Sequence, residues 1–302
     1  MPKVSVLLTS YNHRDFLPLA VESLRAQTFK DFEILALDDG STDGSREWIA
    51  EQPDLIPHFH PKNLGTYGNL NFGIEHSKGE YIAVFNDDDL WGPEKLAQQV
   101  QALDSNAKAG LVHTAGWFID DQGNEIPGAP LGFPWPKTES GDVYLDLMER
   151  NKIIASSVMF RRSITEKVGL FEPGFWGCGD WDMWLRIAQV SEVVHIDQPL
   201  TFYRVHPNQA CRFEDRMNED GVVIRTKLAK IADEMAKISA RHQQAFAHNF
   251  ACLGTEMMWR GNRAEARRNY LESLRLNPLR FKSILRLVAT YVLPTRVFKR
   301  LG

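Results

Sequence analysis

The sequence predicts an α/β domain on a mostly parallel sheet with helices on both faces, followed by an all-helical C-terminal extension. Three observations carry this prediction. Apolar runs alternate with amphipathic stretches through the first hundred residues. Those runs are near-continuously apolar, as strands covered on both faces require. From about Glu214 onward, only helical periodicity remains.

In order, residues 4–9 form a continuous apolar strand and residues 16–26 a helix with Leu17, Ala20, Val21 and Leu24 on one face. Residues 32–37 read as the next strand, closing on Asp38-Asp39-Gly40-Ser41. A helix is expected over 43–50, with Ser41 or Thr42 available as its cap. The strand 55–59, helix 66–76, strand 81–85 and helix 93–103 complete the run. After Leu103 the pattern changes. Residues 110–119 read as a strand, and Asp120-Asp121-Gln122-Gly123-Asn124 as a hairpin turn. The Pro/Gly-rich stretch 127–136 is a long loop, either a flap beside a ligand site or plain surface. A strand over 153–161, a helix over 180–189 and a pair of short strands over 192–205, broken at Pro199, follow. The extension contains helices over 246–260 and 263–276, separated by Gly261-Asn262 and closed by Asn277-Pro278. That spacing is one tetratricopeptide-type hairpin, and a single copy cannot form a solenoid. The expected domains are therefore 1–210 and 211–302.

Composition narrows the function classes. A formal net charge of −4 over 302 residues gives no electrostatic footprint for nucleic acid. Cys178, Cys211 and Cys252 are far apart and odd in number, with neither metal-ligand spacing nor a disulfide framework. A reducing cytoplasm is the expected compartment. Met1-Pro2-Lys3-Val4 leads directly into a strand, so no signal peptide is expected. No apolar run approaches the roughly 20 residues of a membrane span; the nearest, 284–293, carries Arg286.

The most informative feature is Asp87-Asp88-Asp89 at the end of the apolar run Tyr81-Ile82-Ala83-Val84-Phe85. Adjacent carboxylates repel unless a positive group neutralises them. A hard divalent cation does this while also taking substrate phosphates. The carboxyl edge of an α/β sheet is where ligands of such sheets bind. The bland alternative is a solvated turn with Asp89 entering the next helix. Four further polar clusters weigh against caps and turns alone. They are Thr9-Ser10-Tyr11-Asn12-His13, Asp38 to Asp43, Asn63-Leu64-Gly65 with Asn71-Phe72-Gly73, and Cys178-Gly179-Asp180-Trp181-Asp182 with Tyr203-Arg204-Val205-His206.

With these motifs in this order, residues 3 to about 207 resemble a family 2 glycosyltransferase of the GT-A (Rossmann-like) fold. The resemblance implies a nucleotide-sugar donor (UDP- or dTDP-linked), a divalent metal (Mg²⁺ or Mn²⁺) and inversion at the anomeric carbon. Thr9, Tyr11 and Asn12 would line the base pocket with Gly65 and Asn71 nearby, and Asp39 would hydrogen-bond the base edge. Asp87 would face the ribose, and Asp88, with Asp89 as alternative or partner, would hold the metal. Asp180 would be the general base, and His206 sits where some relatives add a metal or diphosphate contact. The family often has Glu before the base aspartate, where this chain has Gly179. The implied acceptor is a glycan or lipid-linked hydroxyl in cell-surface polysaccharide synthesis.

The chemistry agrees with the residue types. Displacing a nucleoside diphosphate needs a Lewis acid on the leaving phosphates, and the attacking hydroxyl needs one carboxylate to take its proton. Cys178 and the histidines His13, His60, His113 and His195 read as structural or surface groups. Trp184 reads as core, while Trp176 and Trp181 are open between packing and sugar stacking. A sugar nucleotidyltransferase would want a basic glycine-rich loop after the first strand, and a dinucleotide oxidoreductase G-x-G-x-x-G; the sequence has neither. A non-catalytic scaffold acting through the helical tail is the remaining alternative. That tail gathers Arg280, Lys282, Arg286, Arg296, Lys299 and Arg300 around Ile284, Leu285, Leu287, Val288, Tyr291, Val292 and Leu293. Such a stripe ordinarily packs on preceding helices; the other reading is peripheral contact with the inner face of a membrane.

Overall fold

The computed structural model describes residues 1–207, 209 and 214–293. Cys211, Arg296, Lys299 and Arg300 therefore lie outside the described residues. In chain order the elements are β1 (Val4–Ser10), α1 (Leu17–Arg25), β2 (Phe32–Asp38), α2 (Ser45–Ala50), β3 (Ile56–Phe59), α3 (Thr66–His76) and β4 (Tyr81–Asn86). There follow β5 (Leu90–Trp91), α4 (Lys95–Ser105), β6 (Ala109–Ile119), β7 (Glu125–Ile126), α5 (Tyr144–Glu149), β8 (Val158–Arg161), α6 (Thr165–Val168), α7 (Gly179–Val190) and β9 (Glu192–Arg204). The chain ends in α8 (Glu214–Lys230), α9 (Ala232–Met235), α10 (Ala240–Trp259), α11 (Arg263–Leu276) and α12 (Phe281–Val292). Two compact units result: Met1–Tyr144 with Asn151–Arg212, and Leu145–Arg150 with Phe213–Gly302.

The first unit is built on a mixed sheet of order β3-β2-β1-β4-β8-β6-β9-β5, with β7 paired to β6. β3, β2, β1 and β4 are parallel, while β8 runs antiparallel to both β4 and β6. Alternation along β1 explains why helices cover both faces. Val4, Val6 and Leu8 pack with Leu17, Ala20, Val21 and Leu24 of α1 and Leu96, Val100 and Leu103 of α4. On the opposite face Leu7 and Leu37 press against α3 so closely that a Cβ at Gly73 would lie 2.5 Å from a Leu37 methyl. Each such aliphatic side chain contributes about 1.5–3 kcal/mol when fully buried.

Three local expectations are corrected. Residues 192–205 are not two strands; β9 runs unbroken past Pro199, because register shifts on either side of the Ala115–Pro199 pair absorb the missing amide. Gly116 permits this, since a Cβ there would run into the Thr201 carbonyl. The strand expected from 153 begins only at Val158, after a 3-10 turn at Ala155–Ser157 where the Ser157 hydroxyl bonds Ile154 O at 2.6 Å. The two-residue β5, antiparallel to β9, occupies the stretch between the acidic triplet and α4.

In the second unit α10 and α11 pack as a helical hairpin, turning at Gly261 with φ +81° and with Asn262 capping α11 through the Glu265 amide. Met258, Ala266 and Tyr270 form its core, joined by Leu287 and Ala289 of α12. The remaining face of α12 departs from the packing expectation. Phe281, Ile284, Leu285, Val288, Tyr291 and Val292 stand 39–69% exposed, while Ser283 and Thr290 are fully buried. Among the described residues no helix is long and apolar enough to cross a membrane.

Candidate active site

Parallel register brings three polar strand ends level. Ser10 lies opposite Asp38, and Thr9 opposite Asn86. The end of β1 then binds both flanks: the Asp39 amide donates to Ser10 O at 2.9 Å and the Asp87 amide to Thr9 O at 3.1 Å. Thr9 itself sits 3.3 Å from the Asn86 side-chain oxygen. Asn12 adopts the left-handed backbone (φ +56°), which its short polar side chain tolerates. Its Oδ1 accepts the Thr42 amide at 2.8 Å and its own amide donates to Ser41 Oγ at 2.9 Å. Asn12 thus staples the first loop to the second, and leaves Tyr11 beside it 46% exposed.

Asp39 is a buried carboxylate that accepts the Leu64 and Gly65 amides at 2.7 and 3.0 Å. Burial raises its pKa, against the opposing pull of those amides. A carboxylate has about four lone-pair positions, so acceptor capacity remains for a further donor. Asn71 is committed elsewhere: both ends of its amide bond the backbone of Phe171, at 2.8 and 2.9 Å. It fastens α3 to the segment before α7 and does not join the cluster at β1.

The aspartate triplet meets His13, His206 and Arg204. Asp87 is 2.7 Å from His13 Nδ1, and Asp88 is 3.0 Å from His206 Nε2. Asp89, fully buried, accepts the Arg204 amide at 2.9 Å, while the Arg204 guanidinium bonds Asp88 O at 2.7 Å and Asp120 O at 2.6 Å. Burial works against a charge on His13, yet the hydrogen bond and field of Asp87 prevail and lift it to about 9. Burial also raises Asp89 well above the usual carboxylate range, with the charge of Asp88 adding to it. Phe16 and the rings of His13 and His206 pack together beneath Arg204, whose guanidinium carbon lies 4.8 Å from the Phe16 centroid.

One ligand atom from each of His13, Asp88 and His206 falls within 4.8 Å of the others. Donors about 2.1 Å from a shared ion lie at most about 4.2 Å apart, so a small adjustment lets this trio hold a divalent cation. Two imidazoles and a carboxylate suit a first-row transition ion better than Mg²⁺. His13, read from sequence as structural or surface, is thus part of the candidate metal site, whereas Asp89, expected as an alternative or partner to Asp88, is fully buried and accepts the Arg204 amide of β9.

Asp180 stands in the first turn of α7. Its Oδ1 accepts the Trp181 amide at 2.7 Å and its Oδ2 the Asn151 side-chain amide at 3.1 Å. Asp182, two residues on, is tied to Arg186 at 2.8 Å, and Arg186 in turn bonds Val168 O and Leu170 O. Tyr67 of α3 is buried with its hydroxyl at the amides of Gly179 and Asp180; burial holds its phenol well above the usual range. A Cβ at residue 179 would lie 2.7–2.8 Å from the Tyr67 ring. That ring leaves no room for a side chain at position 179. Trp181 and Trp184 are core, whereas Trp176 is 43% exposed. Asn151 and Tyr67 escaped the sequence reading because their partners are distant in the chain.

A family model described as Glycosyl transferase family 2 matches residues 5–169, more than half of the chain. The chain belongs to glycosyl transferase family 2. Within the family it is similar to an uncharacterized glycosyltransferase of Nostoc sp. PCC 7120, 30% identical over 210 residues that make up 68% of this chain and 65% of that protein. It is also 29% identical to one from Rickettsia typhi over 69% of this chain and 65% of the relative. The matched segment spans only 37% of a relative from Rickettsia felis. Among solved structures, S. aureus TarS 1-349 superposes with a TM-score of 0.67 at 14% identity, covering 99% of this chain and 92% of that one. The mannosyltransferase PcManGT of Pyrobaculum calidifontis, in complex with GDP-Man and Mn²⁺, gives 0.58 at 18% identity over 96% and 86%. At these identities the likeness is one of fold: a GT-A-type α/β sheet with a helical C-terminal region.

Proposed function

We infer that this chain transfers a sugar from a nucleoside-diphosphate donor, UDP- or dTDP-linked, to a hydroxyl acceptor with inversion. The observation that carries the reading is the convergence at β1: Asp39 and Asp87 are hydrogen-bonded to consecutive residues of one strand end, with Asp88, His13 and His206 beside them. Asp39 offers an acceptor to the N–H edge of a pyrimidine base, and Asp87 an acceptor to ribose hydroxyls. His13, Asp88 and His206 would hold a divalent ion, Mn²⁺ fitting better than Mg²⁺, which when bound neutralises the leaving diphosphate. Asp180 would take the acceptor hydroxyl's proton. Its two hydrogen bonds fix the carboxylate's orientation, as a general base requires. Single displacement needs no protein nucleophile.

Related structures support the donor class: TarS 1-349 is known in complex with UDP and with UDP-GlcNAc. A glycan or lipid-linked acceptor for cell-surface polysaccharide fits the reading, as does a reducing cytoplasm. The test is release of nucleoside diphosphate from a panel of UDP-, dTDP- and GDP-sugars with and without Mn²⁺. Turnover of one uridine or thymidine donor that EDTA abolishes is expected. Turnover unaffected by EDTA would remove the metal assignment, and no turnover with any donor, together with no calorimetric binding of UDP and Mn²⁺, would return the chain to the scaffold reading.

A further inference from the structure

We propose that the outward face of α12 is an attachment surface for an anionic lipid bilayer. Phe281, Ile284, Leu285, Val288, Tyr291 and Val292 recur at helical spacing, so they form one continuous stripe, and all six are exposed. Over twelve residues the stripe is about 18 Å long. The inward side of the helix combines Leu287 and Ala289 with buried polar groups. Ser283 bonds Ser273 at 2.9 Å, Arg286 bonds Thr255 at 3.1 Å, and Arg263 and Arg267 reach the Thr290 carbonyl at 3.3 and 3.1 Å. These bonds pin its rotation, so the apolar side cannot turn in without leaving buried polar groups unmet.

Charge selects the occupant. Residues 263–302 carry ten Lys and Arg against two Glu, with no acidic residue after Glu272, whereas the preceding 262 residues carry 25 against 37. The positive excess is therefore confined to the segment that bears the stripe. A basic helix with an exposed aliphatic and aromatic face lies in the headgroup plane of an anionic membrane. Lys282 is exposed beside the stripe, and Arg267 stacks over Tyr291 with its guanidinium 3.8 Å from the ring centroid, an amphipathic pair suited to an interface. A second copy of the chain is a poorer partner, since a two-fold contact would face two positive segments toward each other. Nucleic acid would leave the aliphatic side chains without a counterpart. The proposal is independent of the transfer reading, because its residues take no part in the site at β1.

The experiment is cosedimentation of the full chain with phosphatidylcholine vesicles and with vesicles containing phosphatidylglycerol, at low and high salt. The wild type should bind the anionic vesicles, release in high salt and bind neutral ones weakly. Lys282→Gln should weaken binding about fivefold, the contribution of one basic residue near such a surface. Leu285→Ser combined with Val288→Ser should weaken it at least about tenfold. Circular dichroism and thermal melting of both variants should match the wild type, since the altered side chains face solvent. Several results would overturn the proposal: no vesicle binding by the wild type, equal binding to both lipids, or undiminished binding by the stripe variant. So would self-association that the stripe variant abolishes, or tighter binding by a chain ending at Leu293, which would assign the face to residues 294–302.

Discussion

The carboxyl edge of β1, β2 and β4 and the outer face of α12 handle their chemistry in opposite ways. At the edge, carboxylates that would destabilise the fold alone find hydrogen-bond partners inside the chain: Asp87 in His13, Asp88 in His206, Asp89 in the Arg204 amide. On α12 the apolar stripe is turned away from the hydrophobic core beneath it, and Ser283 and Thr290 share the inner face with Leu287 and Ala289. A substitution at the edge unbalances partners far away in sequence, whereas one on the stripe stays local. Five substitutions or conditions test this contrast.

Asp88→Ala should have the largest effect, removing the carboxylate from the candidate metal trio. Transfer is expected to fall by at least about 10³-fold, since a Lewis acid contributes several kcal/mol. Calorimetry should show UDP affinity that no longer depends on Mn²⁺; a variant that keeps its metal-dependent affinity would refute the site. Asp180→Asn should cost about 10²–10⁴ in kcat, with donor affinity near wild type in the same titration. Parallel loss of both would make Asp180 a structural residue.

Gly179→Ala drives a Cβ against the Tyr67 ring. Overpacking of this kind costs about 1–3 kcal/mol, read as a lowered thermal midpoint, with kcat falling more than donor affinity. Acid should weaken the fold independently of the active site. His113 hydrogen-bonds Thr138 at 2.7 Å and stacks on His195, and burial pushes its pKa down to about 3. The unfolded chain takes up this proton below about pH 6.5 while the folded chain does not. Stability therefore falls as pH drops from about 6.5 toward 3, by about 2 kcal/mol at pH 5 for this group. Replacing His113 by Gln should flatten the pH dependence of the melting temperature by that amount. Smallest of all, Leu285→Ser should move stability by no more than about 0.5 kcal/mol and leave turnover of a soluble donor unchanged. A large loss there would mean that the stripe is covered.

Much of the first unit was legible because its signals are local. Apolar runs that stop at polar clusters give the strands, and parallel topology places those clusters on one edge without further information. Asp39, Asp87 and Asp88 could be found this way. His13 could not, because its meaning comes from Asp87, 74 residues away, and a lone histidine after a strand has no local signature. Asn71 is the converse case: the resemblance set it near the base pocket, while its amide bonds the backbone of Phe171. Proline at 199 signalled a break, which a bulge opposite Ala115 absorbs. Periodicity in α12 reported a stripe faithfully, but periodicity is silent about which side of a helix the rest of the protein occupies.

The first turn of α3 is shared property. Gly65 donates its amide to Asp39, and Tyr67, two residues later, places its hydroxyl at the amides of Gly179 and Asp180. One turn therefore touches both the proposed base pocket and the proposed proton acceptor. Any coupling carried through this turn is reciprocal: a donor that changes acceptor affinity through it has its own affinity changed by the acceptor by the same factor. A double-mutant cycle between Asp39→Asn and Tyr67→Phe measures that factor directly, as the amount by which their combined effect on donor binding departs from the sum of the two.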